Sequence, residues 1–151
     1  MDSLLKAPQK TILVVEDTAL VLKTVCMILE RAEFTVLAAG SAEEAMQLAA
    51  ATKTIDLLLS DVMMPDMSGP DLALKLKELR PEMRVMLMSG YPDGGMLFLN
   101  YGWHFIEKPF LPIQLVAKIN GVLEEEMRDQ STDHFDTRKK SYLSRHAYSG
   151  S

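Results

Sequence analysis

The sequence predicts an α/β fold of the doubly wound type, with a five-stranded parallel sheet covered by helices on both faces. Aliphatic runs alternate with amphipathic helical stretches along the chain, and this alternation is typical of parallel sheets. Residues 12–15 are four consecutive aliphatics, the pattern of a strand buried on both faces. With 151 residues, of which 48% are hydrophobic, the chain has the size and composition of one soluble domain.

The first half of the chain contains three predicted strands and two predicted helices. After the first strand, apolar residues recur at helical spacing over residues 18–31, and FTVLAA at 34–39 is the second strand. Ser41 and Glu44 stand three residues apart, as in a capping box, and predict the start of the second helix. IDLLLSD at 55–61 is the third strand.

The second half continues the alternation. Pro70 suits the first turn of a third helix, and Pro81 lies just past its end. RVMLMS at 84–89 and WHFIE at 103–107 are the fourth and fifth strands. Pro112 opens the last helix, which has apolar residues on one face. The apolar positions of the third and last helices are Leu72, Leu76, Leu79, Leu115, Ile119 and Val122.

We expect the folded domain to span residues 11–127, after a polar lead-in at 1–10 and before a polar tail at 128–151. The tail has no apolar periodicity, which predicts a disordered segment or an extension of the last helix. The net charge of −5 argues against binding to nucleic acid or to an anionic membrane surface. The single cysteine, Cys26, is predicted to be a core thiol, and we expect a cytoplasmic location because no signal peptide or membrane span is evident.

Acidic, hydroxyl and amino groups stand where the predicted strands end. Glu16 and Asp17 follow the first strand, Asp61 ends the third, Ser89 ends the fourth, and Lys108 follows the fifth. Functional groups gather outside the carboxyl ends of the strands in open parallel sheets. Clustered carboxylates repel one another unless they are protonated or hold a cation, and Mg²⁺ prefers oxygen ligands. Beside such a cation, Asp61 is suited to attack phosphorus, with Lys108 and Ser89 binding phosphoryl oxygens.

Each of these groups also has an ordinary structural role when it is taken alone. Asp61 could start a turn, Glu16 and Asp17 could stabilise the start of the following helix, and Ser89 could belong to a turn. Lys108 could be a solvated surface lysine. Their convergence at one edge of the sheet favours a phosphoacceptor site over these separate explanations.

Four motifs occur in order at the strand ends: VVED at 14–17, SDVMMPDMSG at 60–69, MSGY at 88–91 and EKPF at 107–110. With them the chain resembles the receiver domain of two-component response regulators, over about residues 11–126. The motif wording is most similar to receivers at the C-terminal end of hybrid sensor histidine kinases. The resemblance implies a flavodoxin-like sheet with strand order 2-1-3-4-5 and about five helices.

The resemblance implies a role for each residue of the site. Asp61 would accept a phosphoryl group from a phosphohistidine, and Lys108 would pair with that group. Mg²⁺ or Mn²⁺ would be held by the carboxylates of Asp17 and Asp61, by Glu16 through water, and by the backbone carbonyl of Met63.

The resemblance also implies a conformational switch. The hydroxyl of Ser89 would move toward the phosphoryl group, and Phe105 would be the aromatic switch residue. Because Phe105 lacks the hydroxyl of a tyrosine, packing alone would determine its rotamer. Pro109 would follow a cis peptide bond that aims Lys108. The segment between the last two strands is about one helical turn shorter than is usual in the family and contains Gly94–Gly95, so we expect a short helix there.

Two bulky residues, Met63 and Tyr91, occupy positions that flank the incoming water in the family. Neither is an acid or an amide that would orient water, so we expect slow loss of the phosphoryl group. The implied partners are a histidine kinase or a histidine phosphotransfer domain and an unnamed downstream protein; a homodimer is left open. The receiver would catalyse only its own phosphorylation and dephosphorylation. Two parent proteins are expected: a hybrid histidine kinase, which would itself be an enzyme, or a stand-alone regulator.

Other functions on this scaffold fit the sequence less well. A phosphatase with an aspartyl-phosphate intermediate usually has a second acid two residues after the nucleophile, and Met63 stands there. A flavin-binding protein would need a loop rich in Ser, Thr and Gly after the first strand, where the sequence reads EDTALVLK. The remaining alternative is a degenerate receiver, a protein-interaction module without phosphorylation, against which Asp17, Asp61 and Lys108 argue.

Overall fold

The computed structural model describes residues 8–90 and 102–129. Strands and helices alternate through both ranges. The elements are β1 (Thr11–Val15), α1 (Ala19–Arg31), β2 (Thr35–Ala39), α2 (Ala42–Ala51), β3 (Leu57–Asp61), α3 (Gly69–Leu79), β4 (Arg84–Ser89), β5 (His104–Glu107) and α4 (Pro112–Asp129). The short helix expected between the fourth and fifth strands falls outside the described residues, as does the tail from 130 onward.

The five strands form one parallel sheet in the order β2-β1-β3-β4-β5, so the predicted fold class and strand order are confirmed. The register places Ser60 beside Val15 and Asp61 beside Met88. Ser89, the last residue of β4, lies beside Glu107, the last residue of β5. The carboxyl ends of β1, β3, β4 and β5 therefore reach the same edge of the sheet.

Successive residues of a strand point to opposite faces, so the sheet has two apolar faces to cover. In the described part of the chain, two helices pack on each face. α2 and α3 cover one face, and α1 and α4 cover the other. The buried strand residues under α2 and α3 are Leu13, Val15, Ala39, Leu58, Val85 and Leu87. Those under α1 and α4 are Ile12, Val14, Leu57, Leu59, Met86, Met88 and Ile106. Cys26 belongs to the second core and is buried, as predicted.

The start of α2 differs in one detail from the predicted capping box. The Oγ of Ser41 accepts a hydrogen bond from the backbone N of Glu44 at 3.1 Å, as expected. The carboxylate of Glu44 accepts from the backbone N of Gly40 at 3.2 Å instead of from that of Ser41. The box is therefore displaced by one residue at its acidic end.

The third helix has the predicted apolar spacing, but the last residue of that pattern is not buried. Ser68 caps α3 by accepting from the backbone N of Asp71 at 3.1 Å, and Pro70 lies in the first turn. Leu79 continues the apolar spacing of this helix, but it is 80% exposed. Because Leu79 is the last helical residue, its side chain lies past the buried stripe, whose last member is Leu76. None of the helices in the described part of the chain is long and apolar enough to cross a membrane.

Candidate phosphoacceptor site

Three carboxylates meet at the carboxyl edge of the sheet. Glu16 and Asp17 follow β1 directly, and Asp61 is the last residue of β3. One carboxylate oxygen of each lies within 4.8 Å of the other two. Glu16 is buried, Asp61 is half-buried and Asp17 is exposed. The parallel topology thus brings together the three acids that the sequence predicted to converge.

Glu16 is buried and makes three hydrogen bonds, to Ala39, Thr18 and Lys108. Its backbone N donates to the carbonyl of Ala39 at 3.1 Å, which fixes the main chain against the end of β2. Its Oε1 accepts from the backbone N of Thr18 at 3.2 Å, and its Oε2 accepts from the Nζ of Lys108 at 2.6 Å. A charged carboxylate that is 1% exposed is costly unless it is paired. Lys108 supplies that pairing.

Lys108 connects the buried glutamate to the candidate phosphoacceptor. Its Nζ lies 3.3 Å from the Oδ2 of Asp61 in addition to its contact with Glu16. Its backbone N donates to the carbonyl of Ser89 at 2.7 Å, so the main chain is anchored to the end of β4. The bond between Lys108 and Pro109 is cis, in agreement with the expectation from the family resemblance.

The electrostatics of the cluster favour an additional positive charge. Burial and then the negative charge of Glu16 raise the pKa of the Asp61 carboxyl, and Lys108 only partly opposes this. Burial alone would lower the pKa of Lys108, but its contacts with Glu16 and Asp61 outweigh burial and raise that pKa. The donor set, three carboxylates at an edge where Asp17 is exposed, fits Mg²⁺ or Mn²⁺, because such ions take few protein ligands and keep several waters.

Gly69 is a residue of the site that sequence reasoning did not single out. Its backbone N donates to the carbonyl of Val62 at 2.8 Å, which closes the loop after β3. A Cβ at this position would lie 2.1 Å from the carbonyl oxygen of Asp61 and 3.1 Å from the Oγ of Ser60. The same carbonyl oxygen accepts a hydrogen bond from that Oγ at 2.9 Å. Only glycine allows α3 to begin this close to the backbone of Asp61.

Three further predicted residues, Met63, Ser89 and Phe105, lie in or just after β3, β4 and β5. Met63 is two residues past Asp61, and its side chain is 66% exposed. Ser89 is buried at the end of β4, one residue beyond the register partner of Asp61. Phe105 lies in β5 and packs, half-buried, against the core under α2 and α3. Tyr91 lies outside the described residues.

Comparisons with known proteins agree with this geometry. The sequence model of the response regulator receiver domain matches residues 12–120. The chain is 35% identical over 119 residues to the phosphate regulon transcriptional regulatory protein PhoB of Pseudomonas aeruginosa, which covers 76% of the chain and 52% of that protein. It is 31% identical over 120 residues to the sensor kinase CckA of Brucella abortus, which covers 77% of the chain and only 13% of the kinase. The chain therefore spans about half or less of each of these relatives.

A solved structure with the same fold is the receiver domain of the hybrid histidine kinase CckA. It is 34% identical, has a TM-score of 0.65, and covers 75% of the chain and 98% of that domain. The relatives thus include receivers of a sensor kinase and of a transcriptional regulator. The span matched by the family model begins in β1, ends within α4 and contains all the groups that meet at the sheet edge. The chain therefore belongs to the response regulator receiver domain family.

Proposed function

We propose that Asp61 accepts a phosphoryl group from a phosphohistidine in a Mg²⁺-dependent reaction and that the change switches the domain's conformation within a two-component phosphorelay. The observation that carries this proposal is the position of Lys108, whose Nζ lies 3.3 Å from the Asp61 carboxylate beside two further acids. A carboxylate nucleophile, a fixed cation and a set of oxygen ligands together suit phosphoryl transfer, which depends chiefly on positioning and charge neutralisation.

In the proposed reaction, an Oδ atom of Asp61 attacks the phosphorus of the donor. The P–O bond forms as the P–N bond to the imidazole breaks, and the electron pair of that bond returns to the imidazole nitrogen. The product on this chain is an acyl phosphate. Lys108 would bind a phosphoryl oxygen, and the contacts of its Nζ with Glu16 at 2.6 Å and Asp61 at 3.3 Å support this role.

The metal ligands would be the carboxylates of Asp17 and Asp61, the backbone carbonyl of Met63 and, through water, Glu16. When bound, Mg²⁺ or Mn²⁺ supplies charge neutralisation for the transferring phosphoryl oxygens. Glu16 has one oxygen bonded to Lys108 and the other to a backbone N–H. Its part in binding the metal is therefore secondary to that of the more exposed Asp17.

The switch would use Ser89 and Phe105. Ser89 ends β4, one residue beyond the register partner of Asp61, and its hydroxyl would move toward the phosphoryl group and donate to one of its oxygens. Phe105 on β5 lies beside Leu87, two residues before Ser89 on β4, and would repack when Ser89 moves. Phosphorylation would thus shift the population between two arrangements of this edge.

The proposal assigns the receiver to residues 11–127, with a lead-in before it and a tail after it. The donor would be a histidine kinase or a histidine phosphotransfer domain, and the reader of the switch a downstream protein. Both a stand-alone regulator and a hybrid kinase parent are compatible with the relatives found. We propose a cytoplasmic location, which suits the single buried thiol.

Intact mass after incubation with acetyl phosphate tests the chemistry directly. We expect the wild type to gain one phosphoryl group only when Mg²⁺ is present, and the Asp61→Asn variant to gain none. Asp71→Asn, which changes an exposed aspartate in the first turn of α3, is the matched control and should be modified like the wild type. A folded wild type that is not modified, and that also fails to bind beryllofluoride with Mg²⁺, would favour the degenerate receiver.

A further inference from the structure

Asp66, an acidic residue of the loop after β3, makes contacts that the proposed phosphorylation chemistry does not use. The loop, residues 62–68 between β3 and α3, is called here the β3–α3 loop. Within it, Asp66 directs its carboxylate to the start of α2. Its Oδ2 accepts from the backbone N of Glu43 at 3.1 Å, and its Oδ1 accepts from the backbone N of Ala42 at 3.4 Å.

These contacts complete the hydrogen bonding at the start of α2. The first N–H groups of a helix have no partner inside the helix. Ser41 satisfies only the N–H of Glu44, and Asp66 satisfies the two that precede it. The hydrogen bond from the backbone N of Glu43 is the largest cause that lowers the pKa of Asp66. Desolvation opposes it, but together with the bond from Ala42 it keeps this pKa below its usual value. A carboxylate is also favoured at this end of a helix by the helix dipole.

The base of the β3–α3 loop is fixed independently. The backbone N of Val62 donates to the carbonyl of Met88 at 3.0 Å, and the backbone N of Gly69 donates to the carbonyl of Val62 at 2.8 Å. Met64 and Met67 pack, partly buried, against the core under α2 and α3. Asp66 adds a polar attachment of the loop to α2, on the far side from β4. Met63 lies between the fixed base and this attachment.

We propose that Asp66 is a positioning residue that fixes the β3–α3 loop against α2 and thereby orients the Met63 carbonyl toward the divalent cation. This inference rests on the proposed function, because it takes Met63 to be a metal ligand. Asp66 itself does not touch the cation or the phosphoryl group. Its effect is to reduce the number of loop conformations in which the Met63 carbonyl points away from Asp61.

The test uses three variants of the full chain. Asp66→Ala removes both hydrogen bonds to α2, and Asp66→Asn keeps one oxygen that can accept from Glu43. Glu43→Gln removes a charge from the same helix start while it leaves the backbone N–H that Asp66 binds. Circular dichroism would first show that each variant is folded, and the Asn variant keeps the test usable if the Ala variant is not.

Metal binding is measured through the melting temperature as a function of MgCl₂ concentration, because a ligand that binds only the folded state stabilises it by RT ln(1 + L/Kd), where L is the free ligand concentration. We expect Asp66→Ala to bind Mg²⁺ about tenfold more weakly than the wild type, the effect expected when a group that orients a metal ligand is lost. Asp66→Asn should lie between the two, and Glu43→Gln should match the wild type. Hydrogen exchange without metal should be faster at the amides of Ala42 and Glu43 in Asp66→Ala.

The outcomes separate this inference from the proposed function. If the wild type binds Mg²⁺ and takes a phosphoryl group but Asp66→Ala binds Mg²⁺ equally well, the positioning role of Asp66 is overturned and the proposed function is not. An equal loss of affinity in Glu43→Gln also overturns it, because bulk charge would then explain the effect. A wild type that neither binds Mg²⁺ nor is phosphorylated overturns the proposed function, and the positioning role with it.

Discussion

Lys108 and Glu16, which are 92 residues apart in the sequence, form an ion pair of 2.6 Å at the edge of the sheet. The glutamate is 1% exposed and the lysine 24% exposed, so water does little to offset the charge of Glu16 if the pair is broken. The pair joins the end of β1 to the end of β5, across the ends of β3 and β4. The same ammonium group contacts Asp61, so one lysine links the stability of the edge to its chemistry.

Replacement of Lys108 by methionine should therefore destabilise the fold. We expect Lys108→Met to lower the free energy of unfolding by about 3 kcal/mol, because it leaves a buried carboxylate without its cation. Urea unfolding measures the loss. Lys118→Met on α4 removes an exposed lysine and is the matched control, with an expected change below about 0.5 kcal/mol. A double variant with Glu16→Gln should lose less than the two single changes added together; strict additivity would show that the pair makes no net contribution.

The raised pKa of Asp61 predicts that this residue reduces stability at neutral pH. The folded protein binds the Asp61 proton more tightly than the unfolded chain does, whose ordinary pKa is 3.8. Ionisation above that pH therefore costs folding free energy, and the cost disappears as the pH falls to 3.8 and below. We expect Asp61→Asn to melt at a higher temperature than the wild type at pH 7 without Mg²⁺.

The difference in melting temperature between Asp61→Asn and the wild type should narrow as the pH is lowered toward 4. Addition of Mg²⁺ should also narrow it at pH 7, because the ion stabilises the wild type through its carboxylates. Glu78→Gln, an exposed acid on α3, serves to show the effect of charge removal alone. If Asp61→Asn were less stable than the wild type at pH 7, the attraction of Lys108 for the ionised Asp61 carboxylate would exceed the cost of its burial and of its repulsion by Glu16.

Replacement of Gly69 by alanine should produce a steric clash, although Gly69 stands at the start of a helix, where alanine is normally tolerated. Gly69→Ala would place a methyl group 2.1 Å from the carbonyl oxygen of Asp61, so the backbone must move. We expect a loss of about 2–3 kcal/mol in the free energy of unfolding, as for other overpacked sites, together with slower phosphorylation of Asp61. Urea unfolding and the rate of mass gain with acetyl phosphate measure the two effects.

A second glycine provides the control for Gly69. Gly121 lies within α4, and a Cβ there would meet nothing within 4 Å. Gly121→Ala should therefore stabilise the protein by up to about 1 kcal/mol, through helix propensity alone. If both glycine variants changed stability by the same amount, the close approach of α3 to Asp61 would not be the cause.

The sequence was sufficient for the order of the elements and for the acids at the strand ends, because both follow from local patterns and from the parallel topology. The apolar runs place Asp61 at the end of β3, and the alternation of strands and helices brings Glu16 and Asp17 to the same edge. The cap of α2 by Ser41 was likewise predicted, since its bond to Glu44 spans three residues. Ser68 caps α3 through a bond of the same span, which was not predicted.

Long-range contacts account for what the sequence did not predict. The burial of Glu16 depends on Lys108, and the need for glycine at position 69 depends on how closely α3 approaches the backbone of Asp61. The bonds from Asp66 to α2 cross 23 and 24 residues, and no local motif indicates them. Leu79 shows the opposite case, because its spacing fits the apolar face of α3 although the core ends before it.

Met63 should control how long the phosphoryl group persists. Its side chain is exposed two residues past Asp61, where an amide could orient a water molecule toward phosphorus but a thioether cannot. We expect a slow loss of the phosphoryl group in the wild type, and loss about tenfold faster in Met63→Asn, below the 10²–10⁴ that a positioned general base supplies. The decay of the phosphorylated mass after removal of acetyl phosphate measures both rates. Met27→Asn changes an exposed methionine on α1 and should leave the decay unchanged. A half-life of seconds in the wild type would show that this side chain does not keep water from the phosphoryl group.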